Sequence, residues 1–137
     1  MKEEEKENFQ KTADTLTEVF KKALDNDKLN VKVEKLKDDK VASMITLSEQ
    51  SRRMQDMMKM YGMTGMDPSM FGTDSTLTLN ANHPLVQFVV ENKDNENVPV
   101  ICKQLYDLAM LAHKPLSPEE MTAFVQRSND IMMLLTK

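Results

Sequence analysis

Two successive segments, residues 98–113 and 118–135, carry apolar side chains around more than one helical stripe, and no other feature constrains the fold as strongly. At about 100° per residue, Ile101, Leu105, Leu108 and Ala112 make one face of the first segment. Cys102, Tyr106, Ala109 and Met110 spread round to another. The second segment carries Met121, Phe124, Val125, Ser128, Ile131, Met132 and Leu135 on its expected buried side, with Met133 and Leu134 spilling beyond them. A chain of 137 residues is one domain with a modest core, too small to cover both helices, and the usual solution is a partner. An antiparallel helix pair of this kind dimerises readily into a four-helix bundle. Leu105, Leu108, Phe124, Ser128, Ile131 and Leu135 are therefore the expected homodimer interface.

The start of the second segment is the strongest local signal in the chain. In Leu116-Ser117-Pro118-Glu119-Glu120-Met121, Ser117 is placed to cap, Pro118 to take the first helical position and Glu120 to reach back in a capping box. Leu116 and Met121 can close a hydrophobic staple around it.

Upstream, residues 3 to about 25 form an amphipathic pattern, with Phe9, Ala13, Leu16, Phe20, Ala23 and Leu24 on one face and Asp25-Asn-Asp as its stop. Residues 31–36 and 41–47 alternate or are β-rich, with the charged turn Lys37-Asp-Asp-Lys40 between them, and predict a hairpin. Thr76-Leu-Thr-Leu79 adds a third strand. Pro84 opens a helix through Leu85, Phe88 and Val89, and Asn97 is the expected cap of the helix from 98. The predicted class is α+β: a small three-stranded sheet packed with helices, the last two of which form the dimeric bundle.

Seven of the 13 methionines lie between residues 54 and 70. Met54, Met57, Met58 and Tyr61 fall within one stripe of a helix over roughly 48–62, with Arg52, Gln55, Asp56 and Lys59 on the other side. Met63, Met66 and Met70, among Gly62, Gly65 and Pro68, are expected on a loop. An apolar stripe at helical spacing is usually core. Methionine is nevertheless used sparingly in well-specified cores, and its flexible thioether chain suits a surface that remoulds around varied apolar partners. The Met57/Met60/Met63/Met66 spacing also admits a copper(I) thioether site, although its second half runs through Gly-rich sequence without Cys or His.

Composition narrows the partners. With 22 acidic and 18 basic residues, net charge −4, the chain lacks the basic surface that nucleic acids or anionic membranes require. The longest apolar runs, 108–112 and 131–135, are far shorter than a membrane span. The charged N-terminus lacks the apolar core of a signal peptide, and one cysteine, Cys102, fits a reducing compartment. A cytoplasmic protein is expected. Gly62, Gly65 and Gly72 are the only glycines and none opens a phosphate-binding loop. His83, Cys102 and His113 lie in separate elements without a catalytic or zinc-binding pattern.

Several strings resemble the C-terminal domain of the heat shock protein 90 chaperones, those of bacteria in particular. Met54-x-x-x-Met58-Lys59 is similar to the family's Met-Glu-Arg-Ile-Met-Lys helix. Leu77-Thr-Leu-Asn80-x-x-His83-Pro84-Leu85 is similar to its Leu-Glu-Ile-Asn-Pro-Asp-His-Pro-Ile. Leu105-Tyr106-Asp107-x-Ala109-x-Leu111 resembles Leu-Tyr-Glu-Thr-Ala-Leu-Leu, and Leu116-Ser-Pro-Glu119 resembles a Ser-Leu-Glu-Asp-Pro helix start. The likeness covers nearly the whole chain. It departs at residues 37–40, which replace a Thr-Ser-Pro-like turn, and at Thr136-Lys137, where the Glu-Glu-Val-Asp tail that recruits tetratricopeptide co-chaperones does not follow.

The resemblance implies that the last two helices are the dimerisation hub and that Met54, Met57, Met58 and Tyr61 face unfolded clients. It also implies that the ATPase and middle domains, with their ATP and magnesium, lie N-terminal to Met1. This chain would then hold no cofactor and catalyse nothing itself. A second reading is a Met-rich receptor for apolar signal helices, like the methionine-rich domain of the signal recognition particle. That domain must also hold RNA, which an acidic chain is poorly suited to do.

Overall fold

The computed structural model describes residues 2–62 and 75–137. Its elements run α1 (Glu3–Leu24), β1 (Val31–Glu34), β2 (Ser43–Leu47), α2 (Glu49–Met60), β3 (Ser75–Asn80), α3 (Pro84–Glu91), α4 (Val98–His113) and α5 (Pro118–Leu134). This is the α+β class with a three-stranded sheet. The stretch holding Met63, Met66 and Met70, and with it the loop and the copper reading, lies outside the described residues.

The hairpin expectation is corrected. Strand order is β1-β3-β2, with β1 parallel and β2 antiparallel to β3. The central place goes to the strand buried on both faces: Leu77 and Leu79 on one side, Thr78 and Asn80 on the other. Val31 and Ile45 both lie opposite Leu77, while Val33 and Ser43 lie opposite Leu79, so the alternating apolar positions of three strands share one face. The segment 35–42 is thus a crossing over the end of β3 and not a tight turn.

Asn80 fastens that crossing. Its carboxamide is fully buried, and Oδ1 accepts from Leu36 N at 3.1 Å and Asn82 N at 3.0 Å. Nδ2 donates to Asp38 O at 2.9 Å and Val41 O at 2.8 Å. Every hydrogen-bonding direction of the side chain has a backbone partner, which is what allows an amide to be buried without the desolvation cost of an unpaired one.

Against the apolar sheet face lie Leu16 and Phe20 of α1, Val86 and Val89 of α3, and Val98, Cys102, Leu105 and Ala109 of α4. Each fully buried aliphatic or aromatic side chain here contributes about 1.5–3 kcal/mol. Helix α1 stops where Asp25 turns left-handed, φ 51°, and returns its N–H to the Lys21 and Lys22 carbonyls. Helix α4 departs from expectation at its start, because the Asn97 side chain makes no cap bond. Instead Asn95 Oδ1 accepts from Asn97 N at 2.8 Å, so the polar connection organises itself one turn earlier. Helix α5 contributes no buried residue at all.

Candidate functional site

The α5 start forms as its sequence dictates. Ser117 Oγ accepts from Glu120 N at 3.2 Å, and Glu120 Oε1 accepts from Ser117 N at 3.0 Å, with Pro118 in the first turn and Leu116 buried before it. The hydrogen bond from the Ser117 backbone, followed by that of its side chain, holds the Glu120 carboxyl below its ordinary range.

From there α5 runs beside α4, and polar side chains join the two. Arg127 Nη1 donates to Asp107 Oδ2 at 2.8 Å and to Gln104 Oε1 at 3.3 Å. Gln104 Nε2 donates to Ser128 Oγ at 3.0 Å, and Ser128 Oγ donates to Phe124 O at 2.7 Å. Periodicity places Ser128 in the apolar seam and assigns no role to Gln104, Asp107 or Arg127. Their signal was the spacing of Gln104 and Asp107 at i, i+3 on one helix facing Arg127-Ser128 on the next.

Next to this network an apolar groove of about 300 Å³ opens between α4 and the end of α5, with Leu85 of α3 at its edge. Leu108, Ile131, Leu134 and Leu135 line it. The six expected interface residues are not equivalent. Leu108 and Leu135 are exposed, Leu135 at 83%, while Phe124, Ser128 and Ile131 are half-buried. Leu105 is 3% exposed and belongs chiefly to the protomer's own core, touching the groove only from below. An outer stripe of α5, Met121, Val125 and Met132, is also exposed.

Helix α2 divides the four residues of the methionine stripe. Ser48 caps it, accepting from Ser51 N at 3.0 Å and donating to Ser51 Oγ at 2.9 Å. Ser51 is buried, and the positions three and seven residues on, Met54 and Met58, follow it inward as half-buried and buried. Met57 and Tyr61, together with Met60, face outward. The four residues therefore do not share one exposed stripe: Met57 and Tyr61 are open to solvent, Met54 is half-buried and Met58 is buried.

The Asn-x-x-His-Pro string proves to be structural. Beyond the Asn80 contacts, His83 caps α3 by accepting from Leu85 N through Nδ1 at 3.1 Å, and Pro84 occupies the first turn. Cys102 is sealed in the core, where burial pushes its thiol up to about 12. The Tyr106 phenol is also raised, by burial first and then by the Glu120 and Asp107 charges. Among the described residues no group of three or more His, Cys, Asp or Glu side chains is gathered as a metal site, and no helix is long and apolar enough to cross a membrane.

These features define an α+β domain whose chemistry lies in apolar surface left open on its last two helices. The family model described as Hsp90 protein matches residues 1–137, and the chain belongs to that chaperone family. No curated protein matches it closely enough to narrow the assignment.

Proposed function

We propose that the chain is the C-terminal dimerisation domain of an ATP-dependent Hsp90 chaperone, with clients meeting the outer side of α2. The observation that carries the dimer is α5: a 17-residue helix with no buried residue, bearing Met121, Val125, Met132, Met133, Leu134 and Leu135 in the open. Contiguous apolar surface of this extent on a small domain marks an interaction site, and a second copy offering the same α4–α5 pair would cover it by two-fold symmetry.

Client contact rests on Met57 and Tyr61, both exposed at the C-terminal end of α2. Methionine can re-pack against dissimilar apolar segments. A signal-helix receptor would use the same surface, and the acidic balance of the chain favours the chaperone reading. ATP does not fit these residues, since the chain has no glycine-rich phosphate cradle. Nucleotide and magnesium would belong to other domains of the full-length protein.

Light scattering on the chain, and suppression of aggregation of a heat-unfolded model client, test the two halves separately. The proposal expects a dimer, and protection that weakens when Met57 and Tyr61 are both changed to Ser. A monomer would refute the first half, and unaltered protection the second.

A further inference from the structure

A helix without core residues must be held by something else. Two features fix α5: Leu116 and the capping box at its start, and the polar cluster around Arg127 and Ser128 at its middle. Ile131 lies one turn beyond Arg127, about 6 Å along the axis. Leu134 and Leu135 follow it on the groove. The whole α5 wall of the groove therefore lies downstream of the polar cluster.

On the α4 side, Gln104 and Leu108 are one turn apart, so the residue that accepts and donates hydrogen bonds to α5 stands on the same face as a groove residue. The ion pair is sheltered: the Arg127 and Asp107 side chains are 16% and 13% exposed. It is thereby less screened than a surface pair.

We propose that Gln104, Asp107, Arg127 and Ser128 act as a latch that holds the second half of α5 against α4 in the pose that forms the dimer groove. They position the interface without supplying its apolar contact. The proposal rests on the dimerisation reading and names the residues that set the strength of association.

A charge swap tests it. Asp107→Arg and Arg127→Asp each place like charges together in a sheltered site, and each should weaken dimerisation by about tenfold or more. The combined swap restores opposite charges and should recover most of the loss. Hydrogen exchange is the readout that works in either oligomeric state: amides 127–134 should exchange faster in each single variant, with those of α1 unchanged, and slow again in the combined swap. Single variants that dimerise within twofold of the parent, or a combined swap no better than the worse single one, would overturn the latch. If the parent chain is monomeric, the dimerisation reading fails, and the exchange rates alone then decide whether the cluster holds α5.

Discussion

Met57 and Met58 are adjacent on α2 and oppositely placed: Met57 is 57% exposed and Met58 9%. Truncating them should separate the two roles. Met58→Ala is expected to cost about 2 kcal/mol or more of folding free energy. Met57→Ala should cost less than about 0.5 kcal/mol. Denaturant unfolding of both variants checks this, and equal losses would mean that Met57 too is packed.

Asn80 offers a sharper test of the sheet. Asn80→Ala strips partners from Leu36 N and from the Asp38 and Val41 carbonyls at once. Leaving such groups unsatisfied in the interior costs about 1–3 kcal/mol each. A total loss of about 2–4 kcal/mol is expected, because the crossing can relax toward solvent. Thermal unfolding would show it as a lowered midpoint, and a change below about 0.5 kcal/mol would contradict the fastening role.

The capping box predicts both a magnitude and a pH dependence. Ser117→Ala should cost about 1 kcal/mol. Because the folded-state Glu120 pKa is lowered, its contribution is complete above the ordinary glutamate value and is lost as pH falls through the lowered one. Glu120→Gln should therefore reduce stability near neutrality and make little difference in strong acid. Melting curves of parent and variant at neutral and acid pH check the sign.

Cys102, with its thiol pushed up to about 12 and fully enclosed, should resist a thiol-reactive disulfide near neutral pH until the chain is unfolded in guanidinium. Rapid modification of the native protein would show that the α1–α4 core opens.

What was legible in the sequence was local. The α5 cap, the Asp25 stop and the Pro84 start each depend on residues within one turn of one another, and each formed as read. The β1–β2 hairpin failed because pairing is decided by the most deeply buried strand, and β3 lies more than 25 residues later in the chain. The inward face of α2 was misjudged for a related reason. Ser51 is buried and hydrogen-bonded to Ser48, which moves the centre of the buried face away from Tyr61, and a hydrophobic pattern gives no weight to a serine. The latch was hidden likewise, since Gln104, Asp107 and Arg127 look like solvated residues until α5 is laid against α4.

Dimerisation through α4 and α5 is the central claim, and sedimentation over a concentration series tests it most directly. The parent chain should sediment at twice its 15.7 kDa mass at tens of micromolar. Ile131→Glu, which sets an unpaired charge in the groove at a cost of several kcal/mol, should sediment as a monomer with the fold of the protomer retained. A parent chain that stays monomeric across the series, or an Ile131→Glu variant as dimeric as the parent, would contradict the account.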